Sequence, residues 1–227
     1  MRTSHRVRGG VECTDLFPVR FMPRSKSSSR WLQRHVSDEF VKRAQKEGYR
    51  SRAAYKLQEI DQRDRVFRGG MTVVDLGAAP GGWSQYAASR VAPGGRVIAL
   101  DVLPMEPIPG VEFLLGDFTE NAVLELLRER LGGRQVDLVM SDLAPNITGV
   151  ASADQAKSIY LAELAAEFAG EVLRPGGTLL FKAFQGEGYP ELHKRLQREY
   201  GRVVTRKPRA SRAESRELYL LCRERRA

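Results

Sequence analysis

The stretch MTVVDLGAAPGGWSQY, residues 71–86, runs from a short apolar segment into a loop with almost no side-chain bulk, then into a helical pattern. Val73, Val74 and Leu76 predict a buried strand that ends around Asp75 and Gly77. Ala78, Ala79, Pro80, Gly81 and Gly82 follow as the loop. A loop so stripped lets a ligand lie against main chain. The helix after it presents unpaired N–H groups and the positive end of its dipole. Parallel α/β sheets hold anionic or zwitterionic ligands at this place, the carboxyl end of the first strand.

Working outward, strand and helix patterns alternate from residue 72. Strands are expected at 72–76, 96–102, 111–115, 136–141 and 178–184, with helices at 83–90, 121–131 and 153–172 between them. Continuous apolar runs such as Val97, Ile98, Ala99 and Leu100 suit strands covered by helices on both faces. After a helix at 191–200, segments 202–206 and 217–222 read as a closing hairpin on the sheet edge. Upstream, 38–46 predicts one helix. A second starts with Ser51 as its N-cap and carries Ala54, Leu57 and Ile60 on one side. The expectation is a doubly wound α/β sheet in a single domain over 25–222. A basic extension at 1–24 precedes it and a short basic tail at 223–227 follows it.

Composition narrows the class. The chain has 227 residues, 42% of them hydrophobic, enough for one ordinary domain with a full core. No apolar run is long enough for a membrane span, and the N-terminus lacks the apolar core of a secretory signal. Only Cys13 and Cys222 are present, too few for a disulfide framework, so a reducing, cytoplasmic compartment is expected. His35 and His193 lack metal-ligand spacing, and no metal is expected. The net charge of +9 is unevenly spread. Residues 1–52 carry 13 Lys and Arg against 5 Asp and Glu, and residues 190–227 carry 12 against 5. A mildly acidic middle between two basic ends points to a polyanionic partner.

The acids of the middle fall in step. Asp75 lies in the first expected strand, Asp101 ends the second, Asp117 follows the third and Asp142 ends the fourth. In an open parallel sheet these ends face one crevice. A carboxylate after the second strand suits the hydroxyls of a ribose, and one after the third suits the exocyclic amine of adenine. Each acid alone could instead cap a following helix. A dinucleotide fold wants G-x-G-x-x-G at the first turn, but Gly77 is followed two residues on by Ala79, and no Lys-Ser or Lys-Thr grips a phosphate. S-adenosylmethionine, with a carboxylate and an ammonium but no phosphate, fits better than NAD. An NAD-dependent oxidoreductase is the weaker alternative.

These features closely resemble the FtsJ-like RNA ribose 2′-O-methyltransferases, in particular the bacterial branch that acts on 23S ribosomal RNA. The landmarks are SSSRWLQRHVSDEFVKRAQKEGYRSRAAYKL, VDLGAAPGGWSQY, GDF, VMSDLAPNITG, KAFQGEG and SRAESRELY, and the resemblance runs from about Ser28 to Leu221. The resemblance implies a Rossmann-like class I methyltransferase fold with a seven-stranded, mostly parallel sheet. It implies methyl transfer from S-adenosylmethionine to a uridine 2′-hydroxyl of 23S rRNA, in a monomeric enzyme acting on the 50S subunit during ribosome maturation. The family's catalytic Lys-Asp-Lys-Glu set falls on Lys56, Asp142, Lys182 and Glu217. Its cofactor site falls on Gly81, Trp83, Asp101, Asp117 and Asp142, and Lys182 takes the proton of the hydroxyl.

The chemistry agrees with that assignment. A ribose hydroxyl is a poor nucleophile and needs in-line placement and removal of its proton. An ordinary lysine, with a pKa near ~10.4, is protonated and cannot act as a base. Proximity of Lys56 is expected to lower the Lys182 pKa, with Asp142 and Glu217 orienting both amines. Orientation alone supplies about 7–11 kcal/mol in two-substrate reactions, so alignment is expected to outweigh deprotonation. Lys182 follows Leu179, Leu180 and Phe181 in an expected central strand, where a charge needs a reason. Two basic clusters lead into the catalytic positions: Arg30, Arg34, Arg50 and Arg52 before Lys56, and Arg206, Lys207, Arg209 and Arg212 before Glu217. They are expected to bind phosphates on either side of the target nucleotide. Trp31 and Tyr49 read as packing residues rather than base-stacking ones. A noncatalytic RNA-binding factor on the same scaffold, and a sister enzyme acting on transfer RNA or an RNA cap, are the alternatives.

Overall fold

In the computed structural model the described residues are 38–146, 148–212 and 215–227. Contacts divide the chain after Val36, and all described residues lie in the second unit, Ser37–Ala227. The expected extension 1–24, with Cys13, and the positions Arg30, Trp31, Arg34 and His35 lie outside the described residues.

Among the described residues six helices and seven strands follow in the order α1 (Glu39–Glu47), α2 (Ala53–Asp64), β1 (Thr72–Leu76), α3 (Gly82–Val91), β2 (Arg96–Asp101), β3 (Val111–Leu115), α4 (Asn121–Leu131), β4 (Val136–Ser141), α5 (Ala151–Val172), β5 (Leu173–Phe184), α6 (Tyr189–Glu199), β6 (Tyr200–Arg206) and β7 (Glu217–Arg225). The strands form one sheet in the order β3-β2-β1-β4-β5-β7-β6. The five on the β3 side pair parallel, whereas β7 is antiparallel to both of its neighbours. The order reverses at β1, which pairs with β2 on one side and β4 on the other. The crevice of a doubly wound sheet opens there.

Apolar faces explain the layering. Leu127 and Leu131 of α4, Ala162, Ala165, Ala166 and Ala169 of α5, and Leu192 and Leu196 of α6 bury one face of the sheet. Leu57 and Ile60 of α2, with Trp83, Tyr86, Ala87 and Val91 of α3, bury the other. The alanine-rich face of α5 lets a long helix approach the sheet closely. Cys222 is buried within β7, and burial pushes its thiol pKa up.

The structure corrects the sequence reading at several ends. Asp38 is the N-cap of α1, its side chain accepting from the Phe40 N–H at 2.9 Å, and Gly48 ends that helix in the left-handed region. Ser51 does not cap α2. That helix begins after Arg52 without a side-chain cap, and the Ser51 hydroxyl is buried against Gly82 instead. β5 starts at Leu173 rather than 178, because Leu173 pairs with Val136 before the chain bulges through Pro175 and the two glycines. Regular pairing resumes at Thr178. β7 extends to Arg225, and it lies inside the sheet while β6 takes the edge.

Candidate active site

The site forms where the carboxyl ends of β1, β2 and β4 meet the end of β5 and the start of β7. β5 and β7 run antiparallel, with Lys182 opposite Tyr219 and Phe184 opposite Glu217. Residues two apart on a strand share a face, so Glu217 and Tyr219 of β7 present side chains to the same side. α2 crosses that face and delivers Lys56. Asp142 follows β4 directly.

These side chains form one continuous network. Lys56 Nζ lies 2.9 Å from Glu217 Oε1 and donates to the Tyr219 hydroxyl at 2.8 Å. That hydroxyl donates to Asp142 Oδ1 at 2.7 Å. Lys182 Nζ donates to the same oxygen at 3.0 Å and to the Asp142 carbonyl at 2.7 Å. The four charged side chains are only 7–18% exposed. Charges so enclosed persist because each has an opposite partner. Burial acts to raise the Asp142 carboxyl, but Lys182, then Lys56, and the Tyr219 hydrogen bond together hold it below the usual carboxylate range. Glu217 is held low in the same way, its burial outweighed chiefly by Lys56. Burial also raises the Tyr219 phenol well above its ordinary value, so it remains a hydrogen-bond donor.

Lys56, Asp142, Lys182 and Glu217 are thus together, and Tyr219 links them. The two lysines are connected through the Tyr219 hydroxyl and Asp142, with Glu217 holding Lys56. Tyr219 is not legible as a site residue in the sequence, where it looks like a core aromatic in a strand. Its place two residues after Glu217 was the available signal.

At the first turn, the loop is built for a close approach. Gly77 has φ +78°, and a Cβ there would meet Leu143 Cδ2 at 2.8 Å. Gly81, with φ +107°, precedes α3, and a Cβ on it would meet Ile108 Cδ1 and Met105 Sδ at 2.7 Å. Both positions demand glycine. Asp101 accepts from the Ala79 N–H through Oδ2 at 2.9 Å and from the Leu103 N–H through Oδ1 at 2.8 Å, tying the glycine loop to the segment after β2. Asp117 accepts from the main chain and hydroxyl of Thr119, which hold its carboxyl low. Trp83 lies in the first turn of α3 with its ring buried against Tyr219, at 5.7 Å between centroids, and its indole N–H donated to the Ala53 carbonyl at 2.8 Å. What it offers a ligand is its main-chain N–H. Asp75 is fully buried and accepts from Ser84 of α3 at 2.5 Å. None of the four acids is the N-cap of a helix.

The basic clusters are rearranged by the fold. Arg50 donates to the carbonyls of Glu106 and Pro107 at 2.5 and 2.7 Å, so it clamps the segment after β2. Arg52 pairs with Asp38 and the Ala210 carbonyl. Arg206 forms a two-pronged pair with Asp64, at 2.7 and 2.6 Å, and Lys207 donates to the Ser215 carbonyl. Tyr49 packs edge-on against Tyr55, and the His193 ring lies tilted against Tyr189. Among the described residues no group of three His, Cys, Asp or Glu side chains is placed to hold a metal ion, and no helix is long and apolar enough to cross a membrane.

A glycine-lined turn beside paired lysines and carboxylates is a place for methyl transfer, and the chain belongs to the FtsJ-like methyltransferases, whose pattern matches residues 49–225. That match takes in all seven strands. Within the family the similarity is high to proteins named Ribosomal RNA large subunit methyltransferase E. The one from Alkalilimnicola ehrlichii is 60% identical over 200 residues, covering 88% of this chain and 96% of its own. That from Pseudomonas aeruginosa PAO1 is 56% identical over 202 residues, covering 89% and 98%. A solved structure from Plasmodium falciparum, described as a ribosomal RNA methyltransferase, superposes with a TM-score of 0.71 at 30% identity, covering 78% of this chain and 98% of that one.

Proposed function

We propose that this chain transfers a methyl group from S-adenosylmethionine to the 2′-hydroxyl of a uridine in 23S rRNA, on the assembled 50S subunit in the cytoplasm. The observation that carries the reading is the unbroken network Glu217–Lys56–Tyr219–Asp142–Lys182, set beside a glycine loop at the switch point of a parallel sheet. The high identity to rRNA methyltransferases over nearly their whole length supports the substrate class.

The chain's residues suit the cofactor. With no side chain of their own, Gly77 and Gly81 expose main chain at the first turn, packed closely against Leu143, Met105 and Ile108. The open N–H groups at the start of α3 suit a carboxylate, Asp101 a ribose and Asp117 an adenine amine. When bound, S-adenosylmethionine supplies an electrophilic methyl group on a sulfonium. Asp142 fixes Lys182 by two contacts, and Lys182, after releasing its own ammonium proton to solvent, takes the 2′-hydroxyl proton. Lys56, held between Glu217 and Tyr219, positions the ribose oxygen. With these groups already paired in the resting structure, little reorganisation is needed on reaction.

The test is methyl transfer from labelled S-adenosylmethionine to 50S particles, naked 23S RNA and bulk transfer RNA. The expected result is 2′-O-methyluridine in the 50S sample, lost in Lys182→Ala. Label in transfer RNA alone would replace the substrate. No label despite cofactor binding would overturn the enzymatic reading.

A further inference from the structure

Beyond Asp142 and Lys182, a cavity of about 280 Å³ opens, bordered by Ala144, Pro145, Gln155, Phe184 and Arg216. Its walls continue the reactive network. Ala144 and Pro145 follow Asp142, Phe184 lies two residues after Lys182 and opposite Glu217, and Arg216 precedes Glu217. The mechanism described above uses none of them. We propose that this cavity receives the uracil base of the nucleotide being methylated, an inference that rests on the reading of the chain as a uridine 2′-O-methyltransferase.

The geometry of a nucleotide places the base there. The base is carried by C1′ and the reacting hydroxyl by C2′, adjacent carbons of one ring. A hydroxyl held at Lys182 therefore leaves the base in the space bordering the network. Pro145 and the half-buried Phe184 offer apolar surface to a base, as stacking platforms for unpaired nucleotides do. The edges are complementary to uracil. Gln155 donates its Nε2 to the Glu187 carbonyl at 3.0 Å, which leaves Oε1 as an acceptor for the N3–H of uracil. The guanidinium of Arg216, exposed and with no partner among the described residues, supplies donors for a carbonyl oxygen. Cytosine presents an acceptor at N3 and would meet Oε1 with its lone pair.

The walls are pinned in advance. Asp154 of α5 accepts from Thr148 N–H, Thr148 Oγ1 and Gly149 N–H at 2.8, 2.7 and 3.0 Å, fixing the loop after β4. The Gln185 N–H donates to the Arg216 carbonyl at 3.2 Å. Gly186 leaves room for the Gln155 amide, since a Cβ there would come within 2.8 Å of its end atoms.

The experiment is steady-state methylation of 50S particles taken from cells lacking the activity, with S-adenosylmethionine affinity measured by calorimetry. Phe184→Ala is expected to raise KM for the particle about tenfold or more, a size typical of losing one stacking platform. Phe184→Trp restores it, and cofactor affinity is unchanged in both. With particles carrying cytidine at the target position, wild type is expected to discriminate against them and Gln155→Ala to narrow the gap. An unchanged KM in Phe184→Ala, or a rise that Phe184→Trp does not reverse, overturns the subsite alone. A wild type that methylates no 50S particle overturns the subsite together with the reading beneath it.

Discussion

The hydroxyl of Tyr219 is the joint through which the two halves of the site meet. It accepts from Lys56 and donates to Asp142, while its ring packs on Trp83 at the start of the cofactor helix. Tyr219→Phe keeps the ring and removes the joint, so the fold and cofactor affinity are expected to stay while kcat falls about tenfold, or about 1.4 kcal/mol. Single-turnover methylation beside a melting curve checks this, and an unchanged kcat would sink it. The residue scale is also where the sequence was most legible. Lys56, Asp142, Lys182 and Glu217 each sit in a distinctive local motif, and three of the four lie at strand ends that topology gathers into one place. Tyr219 escaped because a tyrosine among Leu218, Leu220 and Leu221 reads as core, and its burial is indeed complete. The arginine pairings are illegible for a different reason. Arg206 finds Asp64 across 142 positions of sequence, and local spacing carries no trace of such a pair.

Between elements, the link from β1 to α3 has an unusual titration. Burial pushes the Asp75 carboxyl from an ordinary 3.8 up to about 7, against the Ser84 hydrogen bond and aided by repulsion from Asp142 and Asp101. Between those values the folded chain keeps a proton that the unfolded chain has released. The contribution of Asp75 is therefore most favourable below about pH 4 and is lost as pH rises toward about 7, at up to about 1.4 kcal/mol per pH unit. Asp142 and Glu217, held low, act in the opposite sense and in a separate window, their contribution lost only as pH falls below the ordinary carboxylate range. Asp75→Asn is expected to flatten the loss of stability between pH 5 and 7, as read from denaturant midpoints. Parallel curves for variant and wild type would refute it. Most strand and helix positions were legible from apolar periodicity. The start of β5 and the Ser51 cap were not, because a bulge and a close helix crossing depend on neighbours far away in sequence.

The whole molecule carries its positive charge at the two ends of the chain, with a net of +9. The fold spends Arg50, Arg52, Arg206 and Lys207 internally and leaves Arg209 and Arg212 exposed, their guanidinium groups without partners among the described residues. RNA affinity is thus expected to rest on fewer cations than a count suggests. Raising salt from about 50 to 200 mM should increase KM for the 50S particle steeply and leave cofactor affinity nearly unchanged. Arg209→Glu with Arg212→Glu should reduce that salt slope. A slope equal to wild type would place the phosphate contacts elsewhere.

The placement of β7 between β5 and β6 also sets an order of assembly. The glycine loop, Asp101, Asp117 and Asp142 are all made before residue 150, whereas Glu217 and Tyr219 arrive on the strand that is synthesised after every other. A translation product halted before that strand holds the residues of the cofactor cradle but lacks the partner that fixes Lys56 and the hydroxyl that joins it to Asp142. Such a fragment has no complete means of modifying RNA, so catalysis is reserved for chains whose synthesis has run through the sheet.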